Sequence, residues 1–316
     1  MADSTLELKR KISSINKTGQ ITTAMQMVSG VKLNQTEKIN QSYMHYQEML
    51  YNTIAHLMAS RITNELGVSS DSVIDDENFD YASLFHNSDM SNLISHRPVK
   101  KTGYLVITGD RGLVGSYNST AIKQMMSLAE QAKKDGREAE ILAVGGVGAD
   151  FFKKQGMNLV YEYRGISDVP TFEESREIVS TAVNMYMDGV YDELYVCYTH
   201  HVNTISSEFR TEKMLPISDI DIQDAVHEGP KAQFITEPST EAVLDRILPQ
   251  FAQGMIYGAI LDSKTAEHAS SMTAMQNASK NADSVVSDLT TQLNRARQAQ
   301  ITTEITEIVG GAAAQE

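Results

Sequence analysis

The chain has 316 residues, room for about two domains, and its 41% hydrophobic content is enough for a buried core. A net charge of −14 excludes a free nucleic-acid binder, which is normally basic, and a polybasic anchor on anionic lipid. The single cysteine, Cys197, excludes an intrachain disulfide and a cysteine metal cluster.

The opening MADSTLELKRK lacks the apolar core of a signal peptide. No stretch approaches the ~20 apolar residues of a membrane helix, so no direct membrane insertion is expected. The six prolines stand at 98, 170, 216, 230, 238 and 249. Proline breaks helix interiors, so both ends of the chain are free to be long helices. In the first segment, 1–65, Leu8, Ile12, Ile15, Thr22, Met25, Val28 and Lys32 recur at three- and four-residue steps, with Gly19 in the one gap. Ser4 with Glu7 three residues later reads as a capping box. The stretch 66–99 is polar, with five acids among residues 71–80, and reads as a surface insertion with one short helix near 81–86.

Residues 100–216 alternate strand-like and helix-like patterns. Strands are expected at 103–109, 139–145, 157–163, 191–199 and 207–215, with helices near 117–135, 147–155 and 172–188. Such alternation implies a mostly parallel, Rossmann-like sheet with helices on its faces. The last two strands are close enough in sequence for an antiparallel hairpin at the edge. After a linker at 217–238, Ser239 reads as the N-cap of the final segment, 239–316. There Met272, Met275, Ser279, Ala282, Val286, Leu289, Leu293 and Ala296 alternate steps of three and four, the seam of a left-handed coiled coil. Ile301, Ile305 and Ile308 resume the stripe one residue late, as expected where one helix outruns its partner. The fold class is α/β: a long antiparallel coiled coil of the two ends plus an α/β base domain.

The loop GDRGLVG (109–115) between the first strand and its helix has the look of a phosphate cradle. Its spacing matches neither GxxxxGK[ST] nor GxGxxG, and Asp110 sits where an anion would come. The reading is a tight strand-to-helix turn in which glycine permits close packing, with Arg111 pairing to Asp110. His200 and His201 are adjacent on a strand, so they point apart, and neither has a partner at metal-ligand spacing. GxSxG and HExxH are absent. No catalytic residue, cofactor or metal is expected.

Three stretches resemble one family, the gamma subunit of F-type ATP synthase: ELKRKISSINKTGQITTAMQMVSGVKL (7–33), YLVITGDRGLVGSYN (104–118), and the C-terminal residues 266–314 with their NRARQAQITTEITEIV motif. The resemblance covers all but 66–97 and part of 218–238. It implies a rotor shaft whose coiled coil threads a ring of alpha and beta subunits. The α/β domain would sit on epsilon and the membrane ring of c subunits, at the cytoplasmic face of a bacterial plasma membrane. The resemblance also implies beta-subunit contacts at Arg297, Gln298, Thr302 and Glu304, and at Met25. Gln20, Thr23 and Gln26 stand where the family commonly has lysines, and Ser271 where an arginine is usual. Val114 replaces the signature cysteine, and the dithiol insert of chloroplast members is absent. Two other readings compete from the residues alone, a nucleotide-binding enzyme on the 100–216 sheet and an unrelated coiled-coil scaffold.

Overall fold

Helix α1 (Thr5–Glu65) is followed by strand β1 (Lys101–Ile107), helix α2 (Tyr117–Lys134), β2 (Glu138–Val144), α3 (Gly146–Lys154) and β3 (Leu159–Tyr163). Helix α4 (Phe172–Met187), strands β4 (Glu193–His201) and β5 (Ser207–Leu215), and helix α5 (Thr240–Ala313) complete the order. This computed structural model describes residues 5–65, 93, 97–217 and 235–313, with side chains at all of these except 61–65, 312 and 313. The expected Ser4 cap and the short helix near 81–86 lie outside the described residues, as does 218–234 of the linker.

Two compact units divide the chain inside both long helices: Met1–Val31 with Ser271–Glu316, and Lys32–Ser270. In the first unit α1 and α5 run antiparallel. Thr5 Oγ1 donates to Gln300 Oε1 at 3.5 Å, Thr23 Oγ1 meets Ser279 Oγ at 2.8 Å, and Ser29 Oγ meets Ser271 Oγ at 3.1 Å. The α5 stripe from Met272 to Ala296 is inward as expected, each member buried or half-buried. The α1 stripe needs correction after Ile15. Gly19 is buried, as is Ser29, and Gln26 is half-buried, whereas Val28 is 52% exposed. The seam therefore runs Leu8, Ile12, Ile15, Gly19, Thr22, Gln26, Ser29, an unbroken alternation of four and three. Gly19 is a seam position, its missing side chain admitting Ala282 Cβ to within 3.4 Å of where a Cβ would stand. Lys32, placed on the stripe, instead donates to Asp168.

The second unit holds a five-stranded sheet in the order β3-β2-β1-β4-β5, parallel except for β5, which pairs antiparallel with β4. Strand register sets two faces. Leu105, Ile107, Leu142, Val144 and Val196 share a core with α4, α1 and α5, through residues such as Ile178, Ile54 and Ile260. Tyr104, Val106, Ile141, Ala143 and Cys197 share another with Met125 of α2 and Phe152 of α3. Burial on both faces is why these strands read as continuous apolar runs.

Ser239 caps α5 as expected, its Oγ accepting from Ala242 N–H at 3.2 Å. Pro249 lies inside α5, although proline breaks helix interiors by lacking an N–H and crowding the preceding turn. Its neighbours Leu248, Phe251 and Ala252 are all buried, and that packing holds the helix through it. Within the stretch read as a surface insertion, Leu93 is 1% exposed, and its carbonyl accepts from Ile217 N–H at 2.7 Å. Arg97 lies 4.2 Å above the Tyr186 ring and donates to that residue's carbonyl at 2.9 Å.

Candidate functional site

The 109–115 loop forms at the carboxyl end of β1, where open α/β sheets place their ligands. Here the space is occupied by the chain itself. Asp110 Oδ1 accepts from Gly146 N–H at 2.8 Å, and Oδ2 accepts from Gly165 N–H at 3.0 Å. Gly146 opens α3, so its N–H is one of the unpaired donors that favour an anion at a helix start. The Asp110 carboxylate is that anion. It ties the ends of β1, β2 and β3 together, and the expected Asp110–Arg111 pair does not form.

Asn118, in the first turn of α2, closes the loop from behind. Its Oδ1 accepts from Gly109 N–H at 2.7 Å and its Nδ2 donates to Arg111 O at 3.1 Å. Leu113 and Gly115 both take positive φ, 67° and 57°, to complete the turn. Gly145 has φ 104°, and a Cβ there would stand 2.1 Å from Thr108 O, so only glycine fits.

Helix α5 packs against these loops with an unusual run of buried polar residues. Asp262, Ser263, Lys264, Thr265, Glu267 and His268 are each no more than 8% exposed. Lys264 Nζ donates to Glu267 Oε2 at 2.9 Å. Asp262 accepts from the His200 ring at 2.5 Å and from His201 N–H at 3.1 Å, so the two histidines are anchored by one carboxylate. Tyr117 shares a 2.7 Å bond with Ser263, and burial and the nearby Glu267 push its phenol far above the ordinary value. His268 Nε2–H donates to Asp168 O at 2.7 Å; burial lowers its pKa. Burial alone would raise the Asp168 carboxyl, but the Lys32 hydrogen bond and charge, with His268 and Lys264, hold it below the usual value. Cys197 is buried, its thiol pushed up to about 12 by desolvation.

Between the loops lies a cleft of about 310 Å³, lined by Asp110, Arg111, Ser167, Asp168, Lys264 and Glu267 among others. Three carboxylates against two cations make it a poor phosphate site. Among the described residues no group of His, Cys, Asp and Glu could hold a metal. Sequence reading missed the α5 polar run because a string such as DSKTAEHASS is indistinguishable from a solvated helix face. The one available signal was its position directly after the apolar stretch GMIYGAIL.

The remaining predicted residues belong to the other unit. Arg297, Gln298, Thr302 and Glu304 are exposed near the end of α5, and Met25 is half-buried on α1. Thr302 Oγ1 donates to Gln298 O at 2.9 Å, and Glu304 Oε1 accepts from Gln300 at 3.0 Å. Met25 does not join them. With Thr23 opposite Ser279, it lies about twenty residues, roughly 30 Å, from Arg297 along the helix pair.

The family model described as ATP synthase matches residues 4–315. The ATP synthase gamma chain of Lactobacillus johnsonii is 61% identical over 320 residues, covering 100% of both chains. The chain belongs to the gamma-chain family, the central stalk of F-type ATP synthase. Another member of the gamma-chain family, from Latilactobacillus sakei, is 55% identical over 323 residues with 100% of both chains covered. The fold is shared with a chain in the central stalk and c-ring structure of the Tetrahymena thermophila mitochondrial ATP synthase. That chain has a TM-score of 0.53 and 23% identity, covering 82% of this chain and 99% of its own. A chain of the Euglena gracilis mitochondrial enzyme gives a TM-score of 0.53 at 14% identity, over 90% and 95%. No described helix is long and apolar enough to cross a membrane.

In gamma-chain terms the departures at Thr23 and Ser271 have a local reason. Both hydroxyls face the other helix and pair there, with Ser279 and Ser29. A lysine or arginine at either place could not make these short hydroxyl pairs. Val114, in place of the signature cysteine, is buried beside Tyr117 and Ala266.

Proposed function

We propose that the chain is the non-catalytic rotor of a bacterial F-type ATP synthase. It threads a ring of alpha and beta subunits, with its α/β unit on epsilon and the c-ring at the cytoplasmic face of the plasma membrane. Proton flow turns the rotor, and its asymmetry drives each beta site through different nucleotide affinities; ATP hydrolysis runs the cycle in reverse.

The observation that carries this reading is the end of α5. Every described side chain from 297 to 311 is exposed, including Ile301, Ile305 and Ile308 at 45%, 56% and 71%. A bare helix with an apolar stripe suits a bearing supplied by other chains. Arg297, Gln298, Thr302 and Glu304 then serve as polar contacts to a beta-subunit loop, Arg297 by the bidentate geometry of its guanidinium, and Met25 as a separate contact lower on the coil. That Asp110 fills the one loop resembling a phosphate cradle favours nucleotide chemistry on neighbouring subunits.

Purification from membranes tests the reading. The chain should arrive with alpha and beta subunits, and Arg297→Ala with Gln298→Ala should lower ATPase turnover of the complex by about tenfold, the size of one lost charge-assisted contact. A chain recovered without those subunits, or full turnover in the variant, would overturn it.

A further inference from the structure

We propose that residues 262–270 of α5 form a spline that fixes the rotational angle of this helix against the α/β unit, with Asp262, Ser263, His268 and Ser270 as its positioning residues. The inference rests on the rotor reading and adds to it the place where torque enters the helix.

The argument begins with cost. A buried ion pair such as Lys264 and Glu267 is commonly no more stabilising than apolar residues of the same volume. Six polar residues almost hidden from water therefore do not account for themselves as cohesion. They do something apolar packing does poorly. An apolar helix face is held by area, and the energy changes little as the helix rolls a few degrees. A hydrogen bond weakens steeply once its angle departs from linear.

The partners of this run lie in different loops. Asp262 takes the end of β4, through His200 and His201. Ser263 takes Tyr117 at the start of α2, and His268 takes the carbonyl of Asp168 in the loop after β3. Ser270 Oγ donates to Val114 O, in the 109–115 loop, at 2.7 Å. At about 100° per residue, positions 262, 263, 268 and 270 point at roughly 0°, 100°, 240° and 80° around the helix. Bonds pointing in such different directions cannot all be kept if the helix turns either way. Two of these segments, the 109–115 loop and the loop after β3, are themselves braced by Asp110, so the spline seats there against a fixed wall.

The test uses the whole ATP synthase complex, held by its alpha and beta ring. A bead is attached at an introduced cysteine, Lys133→Cys, on the exposed face of α2; native Cys197 is buried and does not react. Angular fluctuation of the bead during a catalytic pause reports torsional stiffness. Tyr117→Phe with Ser270→Ala and His268→Leu should raise the angular variance about twofold while ATP hydrolysis persists, because directional bonds are lost and area is kept. Restoring an N–H donor, with His268→Gln in place of His268→Leu, should recover part of the stiffness. Unchanged variance in the triple variant would overturn the spline. If the triple variant does not assemble, Tyr117→Phe with Ser270→Ala decides in the same way, since each removes only an oxygen. Wild-type beads that fail to turn on ATP would instead overturn the rotor reading, and the spline with it.

Discussion

Gly145 combines a φ of 104° with a backbone oxygen 2.1 Å from where its Cβ would be. Gly145→Ala should therefore destabilise the purified chain by about 3 kcal/mol or more, read as a lower denaturation midpoint. Asp110 makes two charge-assisted bonds to backbone amides, so Asp110→Ala should cost about 3 kcal/mol in the same assay. The residues that gain from Asp110 are 36 and 55 positions away. Nothing local in GDRGLVG could announce them, which is why the loop's shape was legible and its carboxylate's role was not. His268 gives a pH prediction. Its folded pKa lies below the ordinary 6.5, so the unfolded chain takes up the proton first. The stability this group carries is intact above about pH 6.5 and falls as pH drops towards the depressed folded value. His268→Gln should flatten the stability profile between about pH 7 and pH 5, measured by denaturant titration.

At the scale of elements, the sheet was readable because strands buried on both faces are runs of apolar residues bounded by glycine and polar turns. The α5 seam was readable because Met272, Met275, Val286, Leu289 and Leu293 stand at heptad spacing among polar neighbours. The α1 seam was not. Gly19, Thr22, Gln26 and Ser29 give no hydrophobic contrast, so the pattern slid onto Met25 and Val28, which are larger and greasier but face outward or sideways. The correction is testable in the isolated chain. Val28→Ser should change stability by less than about 0.5 kcal/mol. Gly19→Leu should disrupt the pair, because Ala282 already occupies the space a side chain would need. Register gives a second check. Thr5 lies opposite Gln300, so cysteines at those two positions should cross-link readily, whereas cysteines replacing Leu8 and Ile305 should not.

At the scale of the molecule, the residues that hold the chain together and those proposed to meet partners are largely separate sets. The described side chains from 301 to 311 are all exposed, so none of them is part of a buried core. A chain ending at Gln300 should keep its thermal midpoint to within about two degrees, since exposed positions add little to stability. ATP-driven proton pumping by a complex built on it should nevertheless decline, because Thr302, Glu304 and the exposed stripe of Ile301, Ile305 and Ile308 are gone while Arg297 and Gln298 remain.

The hydroxyl and amide character of the α1–α5 seam has a consequence for how the protein breathes. Among the described residues of the first unit, Leu8 and Met275 are the only fully buried large side chains. Separating the helices there would wet threonine, serine, glutamine and alanine together with isoleucine, valine and leucine that are already half in water, at less cost than opening a fully buried core. Backbone amides in that unit should exchange with deuterium through local opening, at rates insensitive to the stability of the rest of the chain. Those of β1 should exchange only when the whole sheet unfolds. In the free subunit the helix pair would thus be the part that opens first, and its confinement by neighbouring chains, rather than its own glue, would make it stiff.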